Sequence, residues 1–536
     1  MSTFKKYKIG EDHKVVLDLG SHLSSDHLCK KIEKIVSELD TKKIESNYSP
    51  KGQNALHPKL MLSVIFYGYT QGIRSGRKLA TACEESLPFI YLSKGYYPKK
   101  SAINDFRKNN YTYFSDLFIQ VLHKCIDEDL VNLSPSIVDG SKLESDSAKR
   151  QTKTKEKYEK WQSHLLEDIA SLEATLKDSL DLTSNQSTPS IEKKKIKQLS
   201  AQKRLVSKIE YAIKQIEQDE SLEKLNLTDP DAPLMKGKKG NYDTNYNVQI
   251  ACGEDQFITH CDVVIDGNDK HQLIPMIEGI IKNTSKPIKS IIADSGYGTY
   301  DSLEFLDENN IIGYMPYKDM NTDFSDQPFH TQNFIYNEDQ DYYICPANRQ
   351  LKFYRTSERK ERRQHFKHYR ADELKTCKHC PFRAECAPKG AARRIIQRET
   401  RQHLKDEMKQ RLNSEQGREI YRKRLHPVES FFGHIKHNLR YTRFSLRGLE
   451  KVKAEFTLIC LTYNLMKLIT RLNHFFIHIL NCEPSIWMKK CNSIVIPNLS
   501  MNFVKHIIKK HHTFKYDNFY YCVCFLNSRS AWQAMQ

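Results

Sequence analysis

Residues 421–436 read YRKRLHPVESFFGHIK. Taken as a helix from about Pro427, the stretch has two faces. Val428, Phe431, Phe432, Ile435 and Leu439 recur at roughly helical spacing and make one apolar side. Glu429, Gly433, Lys436 and Arg440 fall at i, i+4, i+7 and i+11 and make a second stripe. That stripe carries one carboxylate, one residue without a side chain and two cations, with Tyr421 and Arg424 just ahead of it. A single acid among cations, beside a gap that lets a partner approach, suits a site for metal and phosphate. A surface helix with an ordinary charge pair fits the same residues, so the stretch needs partners from elsewhere in the chain.

The chain has 536 residues, enough for two to four domains and a sizeable core. Its formal net charge of +18 and a pI near 9.1 favour a polyanionic partner, nucleic acid or an acidic membrane surface. No apolar run approaches the roughly 18 residues of a membrane span, and residues 1–14 lack an apolar signal core. A soluble, cytoplasmic protein with no membrane partner is expected. In that compartment the fourteen cysteines should be thiols or metal ligands rather than disulfides.

Working outward, residues 57–107 hold an apolar run, 60–69, behind Pro58 in a helical first turn. Arg74, Arg77 and Lys78 lie at the start of a second helix. Ser101 caps a third, which carries Phe106 and Arg107. Residues 1–130 are therefore expected to form an α-helical, DNA-binding N-terminal domain. Its contacts would be Arg74, Arg77, Lys99, Lys100 and Arg107, and a plain helical bundle is the alternative. Residues 150–225 turn to Lys, Glu and Gln. Apolar positions recur from Trp161 to Leu180 and again from Ile196 to Ile216, with SNQSTPS between. This predicts an antiparallel helical hairpin with a structural or oligomeric role. Beyond Leu472 no periodicity is clear, and 473–536 is read as an extension.

Two further acids end short apolar runs. Asp139 follows Ser136–Ile137–Val138, and Asp294 follows 290–293. Strands with alternating polarity are expected around 246–251 and 257–265, then a helix near 272–281. A glycine turn after Asp294 precedes a helix from about Tyr300, with Thr299 as its cap. Asp139, Asp294 and Glu429 thus make a trio. Converging carboxylates hold pairs of Mg²⁺ ions for in-line attack on phosphodiesters. The long separations require insertions.

The second gap contains a cysteine cluster. Cys345 stands in YYICP, and Cys377, Cys380 and Cys386 in CKHCPFRAEC. CxxC supplies two thiolates to one metal, and four complete a tetrahedral structural Zn²⁺ site. A reduced, metal-free loop is the alternative. The flanking runs RTSERKERRQHFKHYR and KGAARRIIQRETRQ are the most basic in the chain and would meet phosphate.

Taken together, these motifs resemble the DDE transposases of bacterial insertion sequences, in the broad IS4/IS5-like group and most closely the IS1182 family. The resemblance covers residues 57–468. It rests on HPKLMLSVIFYGYTQGIRSGRKL with PKKSAINDFRK, VDGSKLES, YNVQIA with DGNDKHQL, ADSGYGTYDSL and YRKRLHPVESFFGHIKHNLRYTRFSLRGLEKVKAE. It implies an α/β fold with an RNase H-like core, a mixed sheet flanked by helices, over 131–472. The helical hairpin (150–225) and the cysteine-rich segment (335–400) would interrupt that core. It also implies that Asp139, Asp294 and Glu429 are catalytic and bind Mg²⁺, or Mn²⁺ in its place. Tyr421, Arg424, Glu429 and Lys436 match the family's Tyr-Arg-Glu-Lys signature, whose cations contact DNA, and Arg440 would extend that surface. Four residues separate Arg424 from Glu429 where the broader group usually has three, a spacing the IS1182 pattern tolerates. The tail past Leu472 has no counterpart in the family.

The resemblance thus implies an enzyme that cuts double-stranded DNA at the terminal inverted repeats of its element and transfers the strands to target DNA. It would act as a homodimer or higher multimer at the bacterial nucleoid. A repurposed transposase that only binds DNA, and a nuclease without strand transfer, are the alternatives.

Overall fold

A computed structural model describes residues 18–49, 54–181, 189–220, 222–237, 240–316, 326–359, 364–387 and 391–481. Of the extension 473–536, residues 482–536, including Cys482, Cys491, Cys522 and Cys524, lie outside the described residues.

The N-terminal part is helical: α1 (Leu28–Glu38), α2 (Pro58–Thr70), α3 (Gly76–Glu85), α4 (Lys100–Asn110) and α5 (Phe114–Asp127), with shorter helices between them. His57 caps α2, with Pro58 in its first turn, and α2 is buried almost along its length. A stably folded helix that is apolar all round must be covered on every side. Its cover comes partly from the far end of the chain. α13 (Leu449–Asn481) packs against both α2 and α5, and residues from Leu23 to Ile469 form one continuous apolar core.

That core includes a six-stranded mixed sheet: β1 (Ser136–Glu144), β2 (Leu234–Lys236), β3 (Tyr242–Cys252), β4 (Ile258–Val264), β5 (Ser290–Ile292) and β6 (Ile312–Tyr314). β1 pairs antiparallel with β3, and β3 with β4, while the short β2 shares the β4 edge of β3. On its other side β1 pairs parallel with β5, which pairs parallel with β6. Helix α8 (Leu273–Thr284) crosses over from β4, packs on it, and leads to β5. Helix α9 (Tyr300–Glu308) joins β5 to β6, and Thr299 caps it through the Ser302 N–H at 3.2 Å.

The sequence predicts a strand ending at Asp139, but β1 continues to Glu144. Gly140, Ser141 and Lys142 look like a turn on their own, and Gly140 to Glu144 hold a single apolar residue, Leu143. They stay extended because β3 offers a ladder of partners, Gly140 opposite Gln249 and Glu144 opposite Asn245.

Two additions leave this core. Helices α6 (Lys155–Asp181) and α7 (Pro189–Gln218) lie along each other, bridged by Lys155–Glu217, Gln162–Glu210 and Lys203–Glu173. The falling numbers on one helix against rising numbers on the other make the pair antiparallel. It has its own small core around Tyr158, Leu165, Ile169 and Ile209. The second addition is a five-stranded antiparallel sheet: β7 (Ile335–Asn337), β8 (Tyr342–Ile344), β9 (Gln350–Arg359), β10 (Gln364–Arg370) and β11 (Ile396–Glu399). Most of the basic runs flanking the cysteines are these strands. Their arginines stack on rings, Arg370 4.0 Å from the Tyr354 centroid and Arg398 4.0 Å from that of Tyr336. Helices α10 (Gln402–Asn413), α11 (Glu415–Arg422) and α12 (Leu425–Gly433) then return the chain to the first sheet.

Candidate active site

The parallel pairing of β1 with β5 places two acids side by side. Ile137 stands opposite Ile292, so Asp139 and Asp294, each two residues on, come level at one end of the sheet and on one face. Both address the same cation. Arg424 Nη2 lies 3.2 Å from an Asp139 oxygen and 3.9 Å from an Asp294 oxygen. Asp294 Oδ1 also accepts the Gly296 N–H at 2.7 Å, which fixes the turn after β5. Burial pushes the Asp139 carboxyl above its ordinary range, while Arg424 and the Gly140 N–H pull the other way. Burial likewise raises the neighbouring Tyr421 phenol.

Helix α12 crosses β1 on this face, with Val428 and Phe431 buried beneath it. Arg424 stands at its N-terminus and Lys436 just past its end. Lys436 Nζ donates to Ser141 Oγ at 2.5 Å and to the Lys142 carbonyl at 3.2 Å. Ser141 is two residues from Asp139, hence on the same face of β1. The helical stripe expected from the sequence does not hold beyond Gly433. Residues His434–Asn438 form a π turn, and Arg440 follows in the left-handed region (φ 56°), exposed. A π turn takes an extra residue per turn, so positions i+7 and i+11 leave the Glu429 face.

Glu429 is on the exposed side of α12. Among the described residues no group of three or more His, Cys, Asp or Glu side chains is gathered tightly enough to hold a metal ion as they stand. The structure thus brings Asp139, Asp294, Arg424 and Tyr421 together and leaves Glu429 on the exposed side of α12, outside that group. The aspartate pair suits a divalent cation. Two carboxylates lie within reach of a single guanidinium, and the Arg424 Nε, buried without a hydrogen-bond partner, is a donor that a phosphate oxygen would satisfy.

Behind β1 lies a network that the sequence does not announce. Gly140 and Gln249 are paired, so Gln249 projects on the face opposite Asp139. Gln249 Nε2 and Asn247 Nδ2 donate to Asp269 Oδ1 at 2.7 and 2.8 Å, and Tyr297 Oη donates to Gln249 Oε1. Asp269 lies beside the residues that follow both aspartates. A Cβ on Gly140 would come 2.9 Å from Asp269 Oδ1, and one on Gly296 would come 3.6 Å from its Oδ2. The sequence signal for this residue is the DGND stretch, 266–269, which reads as a turn.

The cations of the N-terminal helices divide. Arg77, Lys99 and Lys100 are exposed. Arg74 is not available as an outward DNA contact. It pairs with the fully buried Glu455 at 2.9 Å, donates to the Arg443 carbonyl at 2.7 Å and lies 4.1 Å from the Tyr441 ring centroid. Arg107 is 4 % exposed and donates to the Arg74 carbonyl at 2.7 Å. Cys345, Cys377, Cys380 and Cys386 line one small cavity beside the second sheet.

A family model described as "Transposase DDE domain" matches residues 344–469, from β8 through the 421–436 stretch into α13. A second, "Transposase domain (DUF772)", matches residues 17–109, the N-terminal helices. Asp139 and Asp294 lie outside both. Neither the curated proteins nor the solved structures give a match. No helix among the described residues is long and apolar enough to cross a membrane. The two matches agree on one assignment: they indicate a DDE transposase of an insertion sequence.

Proposed function

We propose that the chain cuts DNA at the ends of its own insertion sequence and joins those ends to target DNA, with Asp139, Asp294 and Glu429 as its catalytic acids. Within the DDE transposases we place it nearest the IS1182 family. The observation that carries this reading is the register that sets Asp139 level with Asp294 under Arg424. The strand order, an antiparallel β4–β3–β1 meander extended by parallel β5 and β6, supports an RNase H-like core. An acid on the central strand and another just past its parallel neighbour are where such a core carries its ligands.

The three acids would hold two Mg²⁺ ions, with Mn²⁺ as a substitute. Such ions would supply activation of water or a 3′-hydroxyl and stabilisation of charge on the leaving oxygen. The protein's own part is positioning. Asp294 is locked by the Gly296 N–H, and Asp139 is held within a paired strand. Arg424 and Lys436, at either end of α12, supply positive charge for the scissile phosphate and its neighbour. Arg440, Arg77, Lys99 and Lys100 are exposed and extend a path for the DNA backbone. Assembly as a dimer or larger complex on paired ends, in the cytoplasm at the nucleoid, completes the reading.

One observation favours the rival, a protein that only binds DNA: Glu429 stands outside the aspartate pair. A nicking assay on DNA carrying the element's ends separates the two. Cleavage that needs Mg²⁺ and disappears in Asp294→Ala, with end binding retained, is the expected outcome. Parent protein that binds the ends and never cuts them, or a mutant that still cuts, overturns the proposal.

A further inference from the structure

We propose that Cys345, Cys377, Cys380 and Cys386 form a tetrahedral thiolate site for one structural zinc ion, which staples the cysteine-rich segment to the second sheet. The four come from three places. Cys345 follows β8, Cys377 lies in the short helix Leu374–Lys378 with Cys380 two residues beyond it, and Cys386 ends the helix Arg383–Cys386. All four line a single cavity of about 30 Å³, whose remaining walls include Phe329, Phe334 and Leu351. That space suits one ion held by thiolates.

Two further features point to negative charge at the sulfurs. Cys345 Sγ accepts the Arg349 N–H at 3.3 Å, inside a tight turn closed by Cys345 N–H to the Arg349 carbonyl at 2.9 Å. Backbone N–H groups aimed at sulfur stabilise a thiolate far more than a thiol. Arg394 also lines the cavity. It is bound to the Cys386 carbonyl at 3.2 Å and to Thr331 Oγ1 at 3.1 Å, while its Nε is buried with no partner. A buried N–H without an acceptor is costly in an apolar pocket and is satisfied by a charged sulfur beside it. With Arg349 and Arg383 also lining the cavity, three arginines border four cysteines. A zinc ion with four thiolates carries two net negative charges, which these cations offset.

As the side chains stand, no three ligands gather closely enough to hold a metal. A cysteine sulfur swings on one torsion, and the site requires the four to turn into the cavity that they share. The segment needs such a tie. Its two helices have five and four residues, too short to persist alone, and the core of this sheet has five buried residues, Phe334, Tyr343, Leu351, Tyr369 and Ile396.

The test uses the purified full chain without DNA, so its outcome is independent of whether the protein cleaves. Elemental analysis should find about one zinc per chain, and Co²⁺ exchange should give the charge-transfer and d–d bands of a tetrahedral thiolate site. Cys377→Ser with Cys380→Ser should abolish both the zinc and the bands and expose residues 371–395 to protease. Cys261→Ser, outside the cluster, should retain them. Folded parent protein that takes up no zinc when supplied with it, zinc that survives the double substitution, or two disulfides found among the four cysteines by mass spectrometry overturns the proposal.

Discussion

Arg74→Ala separates two roles for the same residue. On sequence grounds Arg74 belongs to a basic, DNA-facing turn, and its loss would weaken DNA binding and leave stability alone. In the structure its guanidinium reaches Glu455, whose side chain is 0 % exposed, while Arg74 itself is 14 % exposed. Removing one partner of a buried pair costs about 3–5 kcal/mol, because the other charge stays buried. Here the lower figure applies, since Glu455 keeps the Ser445 N–H, the Ser445 hydroxyl and the Leu446 N–H as donors. The lost hydrogen bond to the Arg443 carbonyl adds about 1 kcal/mol, and the lost stacking on Tyr441 adds roughly 0.5–1 kcal/mol. The expected loss is about 5 kcal/mol, a large fraction of the roughly 5–15 kcal/mol that holds a folded protein together. Urea unfolding followed by circular dichroism measures it. Arg77→Ala, one turn along and exposed, serves as the control and should stay within about 0.5 kcal/mol of the parent. Arg74→Lys should recover only part of the loss, because one ammonium cannot take up the fork between Glu455 and the Arg443 carbonyl. An Arg74→Ala protein that unfolds at the parent's urea concentration refutes the reasoning.

Two other perturbations probe the sheet. Gly140→Ala would put a Cβ 2.4 Å from Gln249 Nε2 and 2.9 Å from Asp269 Oδ1, forcing apart their 2.7 Å hydrogen bond. A loss of roughly 2–4 kcal/mol in urea unfolding is expected, and a change under about 0.5 kcal/mol would mean the network yields freely. His260, packed under Gly279 and bonded to Asn283 Nδ2 at 3.0 Å, is pushed down to about 4 by burial, against Asp262 and with help from Lys282 and Lys453. A histidine depressed in the folded state favours folding above its unfolded pKa of about 6.5, and that contribution drains away as pH falls toward 4. Thermal midpoints should therefore drop between those pH values, by the equivalent of at most about 3 kcal/mol, and His260→Asn should flatten the drop. Equal slopes in both proteins would assign the acid sensitivity elsewhere.

The acid pair is legible in the sequence because its signal is local. Two short runs, Ser136–Ile137–Val138 and Ser290–Ile291–Ile292, each a serine before two β-branched residues, lead to an aspartate, and parallel pairing of such strands sets them level. Arg74 misleads for the opposite reason. Its partner lies 381 residues away, and nothing near either residue records the other. The basic runs beside the cysteines hide their strands because lysine and arginine are so frequent in them. The alternation in FYRTSER and QHFKHYR is that of strands whose aromatics meet guanidiniums of the next strand. Asp269 is visible only as part of a turn. Its importance depends on two glycines, Gly140 and Gly296, that stand next to it only once β1, β3 and β5 are assembled.

The 421–436 stretch shows how one local irregularity changes the meaning of a motif. A regular helix would align Glu429, Gly433, Lys436 and Arg440 as one continuous surface for DNA. The π turn His434–Asn438 breaks that alignment and instead lays Lys436 down on Ser141, on the same face of β1 as Asp139. Arg424 grips Asp139 from the other end of α12. The helix is therefore pinned across the strand by a cation at each end, with Phe431 wedged beneath it against Phe456 and Tyr463 of α13. Both cations rest on groups beside the acids, at the place where positive charge is needed for a phosphate. Glu429 lies between the two pins, on a helix whose ends are held by contacts that an incoming phosphate and metal would compete for. The residues at the ends of α12 thus bear on the position of its acid as much as on the DNA, and a substitution at Arg424 or Lys436 is expected to disturb both.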